Sequence, residues 1–237
     1  MIKPEAAYCD PETGLCTPAP LSESSEVPAF RGDVEIIYVG DPMCSWCWGI
    51  SPALNQLRQA ALANGILYRI VLGGLRPGGG DAWNEEFRDF LKHHWEEVND
   101  RSGQPFGHQL FELEQFNYDT EPSCRAVVAA RQILPDTESR FFELVQYRFY
   151  VLNEDPAQTD FYKPICEELD INFERFTEVF ASEEAKAMTL QDFQTNRSWG
   201  VRGYPTVIFR KDNQLMAIAR GYAEFEQMWG AVEQLVE

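Results

Sequence analysis

The pattern of apolar and polar positions in residues 34–72 predicts a strand, a helix and a second strand. Residues 34–39 form a short run rich in β-branched side chains, which is typical of a buried strand. From Cys44 to Asn64 the apolar positions recur at helical spacing, and Gly65 is a suitable helix end. A second strand pattern follows at 67–72, so this segment predicts a parallel, right-handed β-α-β unit.

Residues 82–199 carry a helical pattern throughout, with no strand pattern among them. The large apolar residues of 83–98 recur on one helix face, and Thr120 followed by Pro122 predicts a capped helix start. Further helices are predicted at 141–150, 160–169, 172–180 and after Ser182, a suitable N-cap.

Strand patterns return after Pro205 and complete the fold. Residues 206–209 and 214–219 predict an antiparallel pair, and 224–236 predict an amphipathic helix. The order β-α-β, helices, β-β-α predicts an α/β fold whose two outer parts form one sheet around an inserted helical domain. We therefore predict an extended N-terminal arm at 1–32, α/β parts at 33–81 and 200–237, and a helical insertion at 82–199.

The charge and composition of the chain exclude several classes of binding partner. The 237 residues carry a net charge of −18, which disfavours binding to nucleic acid or to an anionic membrane surface. No apolar segment reaches membrane-spanning length, and residues 1–8 lack the apolar region of a secretory signal, so we expect a cytoplasmic protein. The glycines at 73–80 lack the pattern of a phosphate-binding loop, and no motif indicates a bound cofactor.

Cys44 and Cys47 form a Cys-x-x-Cys pair where the first helix is predicted to begin. Residues three apart in a first helical turn lie close enough for a disulfide. The helix N-terminus stabilises a thiolate, so we expect Cys44 to be the attacking thiol, and the most acidic and exposed one outside the arm. Cys47 lies one turn deeper and is the expected resolving thiol.

Two other interpretations of this pair are a buried structural pair and half of a zinc site. A four-thiolate zinc site normally needs a second close pair, and none of the three histidines has zinc-like spacing to a cysteine. A Cys-x-x-Cys beside a β-α-β pattern favours redox chemistry, so we expect no metal site.

The other cysteines divide into two groups. Cys9 and Cys16 flank a turn-rich loop. They are a second redox pair that exchanges with Cys44 and Cys47, two unlinked thiols, or an adventitious disulfide formed in air. Cys124 and Cys166 fall in helical patterns and are expected to be small core residues.

Residues 41–49, around the Cys-x-x-Cys, resemble the active-site segment of the DsbA-like thioredoxin-fold dithiol–disulfide oxidoreductases, and 201–206 resemble their cis-proline loop. The resemblance covers 33–237 and is nearest to cytoplasmic FrnE-like members. It implies a thioredoxin fold with a helical insertion, with Cys44 as nucleophile, Cys47 as resolver and Pro205 as the cis-proline. It also implies protein or peptide thiol and disulfide substrates, with glutathione or a thioredoxin-type reductant as a further candidate partner. Tyr204 and Pro205 would offer backbone groups to the substrate.

Two positions depart from this pattern. Many thioredoxin-fold enzymes carry a buried acid six residues before the first active-site cysteine, where this chain has Tyr38. The dipeptide Ser45-Trp46 lacks the histidine common in strongly oxidising relatives, so we expect a less oxidising pair.

Three functions compete on this fold. The first is a protein-disulfide oxidoreductase or isomerase. The second is a glutathione-dependent small-molecule isomerase or transferase, which usually has serine where Cys44 stands. The third is a non-catalytic binding module, which needs neither an intact cysteine pair nor a cis-proline.

Overall fold

The structure is a computed structural model that describes residues 8–10, 15–17 and 34–236, with side chains described for 34–236. Its strands are β1 (Tyr8–Asp10), β2 (Leu15–Thr17), β3 (Val34–Gly40), β4 (Leu67–Leu72), β5 (Thr206–Lys211) and β6 (Gln214–Arg220). Its helices are α1 (Ser45–Gly49), α2 (Ser51–Ala63), α3 (Glu85–Ser102), α4 (Glu121–Ile133), α5 (Glu138–Tyr150), α6 (Lys163–Glu168), α7 (Phe173–Ala181), α8 (Glu183–Ser198) and α9 (Phe225–Val236).

The main sheet has the strand order β4-β3-β5-β6. β3 pairs in parallel with β4 and antiparallel with β5, and β6 closes the sheet antiparallel to β5. The two outer parts of the chain therefore complete one sheet, and the predicted α/β fold with a helical insertion is confirmed. β3 is an inner strand and is buried from Glu35 to Gly40, which places its carboxyl end in the core beside the Cys-x-x-Cys segment.

The helical segment packs against the active-site loop through an aromatic cluster. Trp95 of α3 and Tyr150 of α5 lie at its centre, with ring centroids 5.1 Å apart. Trp48 of α1 stacks on Tyr150 at 6.3 Å, and Met43 belongs to the same buried cluster. Rings of this size bury a large apolar area, so the helical segment holds the start of α1 in place.

The helix predicted from 44 to 64 is interrupted, and this correction has a local cause. Pro52 has no backbone N–H, so it cannot continue the helical hydrogen bonding to the Trp48 carbonyl. The Ser51 hydroxyl donates to that carbonyl at 2.8 Å instead, and the Gln104 amide donates to it at 3.1 Å. The chain consequently forms the short helix α1 and then restarts as α2.

Of the two predicted helix caps, one is confirmed and the other is wrong. Ser182 caps α8 as predicted, since its hydroxyl accepts from the Ala185 N–H at 3.1 Å. Thr120 precedes α4 but makes no side-chain cap bond. Its hydroxyl oxygen accepts from the Arg76 N–H at 3.0 Å instead, because a loop from β4 passes over it.

The N-terminal arm contains backbone structure that its composition did not predict. β1 and β2 pair antiparallel, so residues 8–10 and 15–17 form a two-stranded sheet. Within the described ranges, no helix is long and apolar enough to cross a membrane. The predicted boundaries near 33, 82 and 200 stay predictions.

Candidate active site

The segment between β3 and α1 is held at both ends of a tight turn. The Cys44 N–H donates to the Asp41 carbonyl at 3.0 Å. The Tyr118 hydroxyl donates to the Met43 carbonyl at 2.8 Å, which ties the turn to the helical segment. Cys44 keeps an extended backbone and is the N-cap of α1, so Cys47 lies in the first helical turn. The local geometry is the one predicted from the spacing.

The two thiols lie side by side in the core. Cys44 and Cys47 are hydrogen-bonded to each other, and neither has any exposed surface. The prediction that Cys44 is the most exposed thiol is therefore wrong. Trp46 and Tyr204 belong to the same buried cluster, and this enclosure explains the burial. The sulfur of Cys44 must become accessible before it can react with a disulfide.

The prediction that the Cys44 thiol has a lowered pKa is also wrong. Burial raises the pKa of the Cys44 thiol well above that of a free cysteine, and the neighbouring Cys47 raises it further. The backbone N–H of Cys47 donates to the Cys44 sulfur and lowers the pKa, as expected at a helix N-terminus. Here loss of water outweighs that stabilisation, so the covered Cys44 is held as a thiol.

The loop before β5 faces the dithiol. The Tyr204–Pro205 peptide bond is cis, as the resemblance implied. The Cys44 thiol donates to the Tyr204 carbonyl at 3.7 Å, so this backbone group contacts the sulfur that would react. Its position agrees with the predicted placement of Tyr204 and Pro205 beside the pair.

The side chain of Tyr204 anchors this loop. Its hydroxyl donates to the Gly73 carbonyl at 2.5 Å and lies 3.1 Å from Asn196 Oδ1. The Asn196 amide in turn donates to the Leu72 carbonyl at 2.9 Å. Tyr204 has no exposed surface, so its backbone carbonyl becomes available to a substrate only when the groups that cover Cys44 move. Sequence reasoning missed Asn196, which lies in a polar stretch of α8 with no motif.

Asp41 is a second residue that sequence reasoning missed. Its carboxylate accepts from the Met43 N–H at 2.9 Å and from the Leu75 N–H at 2.7 Å. The Cys124 thiol donates to it at 3.4 Å, and the Thr120 hydroxyl bonds to it as well. Burial raises the pKa of Asp41 above its usual value, although these hydrogen bonds partly lower it. The charge of Asp41 raises the pKa of Cys44.

We predict that Asp41→Asn destabilises the fold and at the same time makes Cys44 more acidic. An amide has one acceptor oxygen where four donors converge, so the free energy of unfolding should fall by about 2 kcal/mol. Removing the negative charge should shift the alkylation profile of Cys44 to lower pH. Denaturant unfolding and the pH dependence of iodoacetamide labelling measure the two effects.

The matched control for this prediction is Asp119→Asn. Asp119 accepts from the Gly78 and Glu121 N–H groups at 2.7 and 2.9 Å, so it has a similar structural role in a neighbouring loop. This control should lower stability without moving the labelling profile of Cys44. The same profile in both variants would contradict the effect assigned to the charge of Asp41.

Tyr38 occupies the place where the resemblance implies an acid. Its side chain leans along β3 over Gly40, where a Cβ atom would overlap the Tyr38 hydroxyl. The hydroxyl reaches the Cys47 thiol, and burial followed by the proximity of Cys47 raises the pKa of Tyr38 well above its usual value. Tyr38 is therefore a neutral hydroxyl beside the second cysteine.

With this geometry established, comparison with known proteins identifies the family. The family model described as Thioredoxin matches residues 37–220, which include the Cys-x-x-Cys, the helical segment and the cis-proline loop. The chain belongs to the thioredoxin family. In fold it is similar to the oxidoreductase NmDsbA1 from N. meningitidis, which is 13% identical and superposes with a TM-score of 0.54.

Three relatives define this neighbourhood. A crystal structure of a proposed protein disulfide isomerase from Nitrosomonas europaea is 36% identical, covers 86% of this chain and 98% of its own, and superposes with a TM-score of 0.79. The cytosolic disulfide reductase DsbM from Pseudomonas aeruginosa is 23% identical over 85% of this chain and 98% of its own, with a TM-score of 0.71. The ClpXP adapter protein SpxH from Shouchella clausii is 24% identical over 87% of this chain and 67% of its own.

The remaining cysteines of this thioredoxin-family chain lie in two environments. Cys9 and Cys16 are direct partners in the β1–β2 register, and their side chains lie outside the described residues. Cys124 and Cys166 are fully buried, which confirms the predicted core positions. Burial raises the pKa of Cys124 well above its usual value and that of Cys166 to about 12, so both are held as thiols.

Proposed function

We propose that this protein catalyses thiol–disulfide exchange on protein or peptide disulfides, with Cys44 as nucleophile and Cys47 as resolving thiol. One observation carries the proposal: the two thiols contact each other at the start of α1 while the carbonyl of Tyr204, next to the cis-proline, accepts from Cys44. A nucleophile, a resolving thiol and a backbone acceptor are the groups that such an exchange requires.

Each cycle of the reduced protein has two exchanges. The Cys44 thiolate attacks one sulfur of the substrate disulfide, forms a mixed disulfide and releases the other sulfur as a thiolate. Cys47 then loses its proton and attacks Cys44, which forms the Cys44–Cys47 disulfide and releases the second substrate thiol. Two electrons pass to the substrate, and a dithiol reductant returns the pair to its starting state.

A turnover assay with insulin tests the proposed function. The reduced protein, supplied with dithiothreitol, should accelerate the reduction of insulin disulfides, which is followed as turbidity from the precipitating B chain. Activity confined to small glutathione conjugates would instead support the isomerase or transferase alternative. Two active-site cysteines favour exchange over that alternative, because the second thiol has no part in an addition of glutathione.

The proposal also includes the electron donor and the cellular compartment. We propose glutathione or a thioredoxin-type protein as the electron donor, and the cytoplasm as the compartment. A solved structure of DsbM with GSH, 22% identical to this chain, is described as a cytosolic disulfide reductase. Within the described ranges no helix is suited to cross a membrane.

Cys9 and Cys16 are proposed as a second redox pair. Residues directly opposite in antiparallel strands have Cα atoms about 4.5–5.5 Å apart, within the range of a disulfide. Exchange with Cys44 and Cys47 would pass electrons between the two pairs through a mixed disulfide.

We predict that deleting residues 1–20 preserves the fold and lowers insulin reduction several-fold, or changes its dependence on the reductant. β1 and β2 pair only with each other in the main-chain register, so the main sheet does not depend on them. Circular dichroism and steady-state kinetics measure both effects. A Cys9→Ser/Cys16→Ser protein is the control that separates the thiols from the arm itself, and unchanged kinetics in both variants would contradict the proposal.

A further inference from the structure

The buried position of Cys47 raises the question of where its proton goes. Cys47 has no exposed surface, so its sulfur cannot give a proton directly to bulk water. The exchange proposed above requires the Cys47 thiolate in its second step. Position 38 holds a tyrosine whose hydroxyl is neutral, so an ionised acid does not stand there to accept the proton.

Unpartnered polar atoms converge behind Cys47. Both polar atoms of the Gln146 amide are buried and have no hydrogen-bond partner among the residues described by the structure, and the buried Tyr38 hydroxyl has none apart from its approach to the Cys47 thiol. Gln146 has no exposed surface, because it lies on the face of α5 that packs into the core. Buried polar groups without partners are costly, and they commonly mark a site for an ordered water.

A small cavity joins these atoms. Cys47, Tyr38 and Gln146 line an internal space of about 20 Å³ that the centre of a water molecule can occupy. This is enough room for one water. The cavity lies between the sheet, α2 and α5. The titratable groups that line it besides Cys47 are Tyr38 of β3, Arg58 of α2, Tyr68 of β4 and Glu143 of α5.

The cavity continues towards solvent. Ser51, Asn55 and Glu143 line both this space and a larger cleft of about 410 Å³ between α2 and α5. Asn55 and Glu143 are half-buried, so the polar side chains that the two spaces share reach the surface. A proton can leave along such a route through hydrogen-bonded water.

We propose that Tyr38 and Gln146 hold a water molecule against the Cys47 sulfur, and that this water carries the proton of Cys47 to and from solvent during exchange. The inference rests on the proposed function. In the resolving step the Cys47 S–H bond breaks, the proton passes to the water and out through the cleft, and the sulfur's electron pair forms the bond to Cys44. The bond between Cys44 and the substrate sulfur breaks, and the substrate leaves as a thiolate that takes a proton from solvent. Tyr38 touches the reacting thiol, and Gln146 is a positioning residue.

The test measures the lifetime of one mixed disulfide. Reduced protein is mixed with oxidised glutathione, quenched with acid at set times, and the Cys44–glutathione adduct is quantified by mass spectrometry from pH 6 to pH 10. Tyr38→Phe removes only the hydroxyl, and Gln146→Leu replaces the amide with an apolar side chain of similar size. The control is Tyr162→Phe, because the Tyr162 hydroxyl is equally buried but donates to the Pro156 carbonyl at 2.6 Å, away from the cavity.

We expect both cavity variants to extend the lifetime of the adduct about tenfold at pH 7, as for loss of a positioned proton acceptor. The deficit should shrink towards pH 10, where hydroxide takes the proton directly, and Tyr162→Phe should match the natural protein throughout. Wild-type lifetimes in both cavity variants, or an equal slowing at every pH, would overturn the relay. A failure of the natural protein to form the adduct at Cys44 would instead overturn the proposed function, so the two failures are distinguishable.

Discussion

Cys44→Ser is expected to lower insulin reduction by roughly a thousandfold or more, as for loss of a covalent nucleophile. A serine hydroxyl does not attack a disulfide at neutral pH. The Tyr204 carbonyl beside the cis-proline contacts position 44 and not Cys47, so Cys47 should not form the first mixed disulfide in its place. The fold should persist, because the serine hydroxyl can donate to the Tyr204 carbonyl that now accepts from the thiol.

The matched control for Cys44→Ser is Cys166→Ala. Cys166 is equally buried, in α6 of the helical segment, and has no place in the proposed exchange. Both variants should unfold cooperatively in denaturant, and Cys166→Ala should keep the activity of the natural protein. Substantial activity in a folded Cys44→Ser protein would assign the reaction to another group.

Cys47→Ser is expected to stop the reaction half-way and to accumulate a covalent complex. Cys44 can still attack a disulfide, but no neighbouring thiol can release it, so the lifetime of the mixed disulfide should rise by roughly a hundredfold or more. Non-reducing electrophoresis and mass spectrometry after mixing with oxidised glutathione or a disulfide peptide measure the adduct.

The double variant Cys44→Ser/Cys47→Ser is the control for this complex. In a background that also carries Cys9→Ser and Cys16→Ser it should form no adduct, because the remaining Cys124 and Cys166 are fully buried and have no place in the proposed exchange. An adduct that maps to Cys47 in the natural protein, or a Cys47→Ser protein that releases its adduct at the natural rate, would reverse the two roles.

Most of the fold could be predicted because its signals are local. The apolar run of β3, the strand pattern of β4 and the amphipathic α9 each follow from neighbouring residues, and the structure reproduces them within a few positions. The interruption after α1 was also encoded locally by Pro52. Its effect depends on the Ser51 hydroxyl as well as on Gln104, 52 positions further on, and this distant contact is not visible in a helical pattern.

The site was less predictable where distant residues set its chemistry. The spacing of Cys44 and Cys47 placed them together, but exposure and pKa depend on what covers the thiols. Asp41, a turn residue by sequence, is a buried acceptor because Leu75 and Cys124 converge on it from other elements. Gln146 gave no signal at all, since an amide on a helix is ordinarily a solvent-facing residue.

The central claim is that Cys44 and Cys47 form one two-electron redox centre. The most direct measurement equilibrates the protein with glutathione buffers of increasing oxidation, alkylates the remaining thiols and maps the disulfides by peptide mass spectrometry. A Cys44–Cys47 disulfide should appear in a single two-electron transition while Cys124 and Cys166 stay reduced. Cys44 and Cys47 that instead remain thiols across the series, or that acquire glutathione independently of each other, would not form one redox centre.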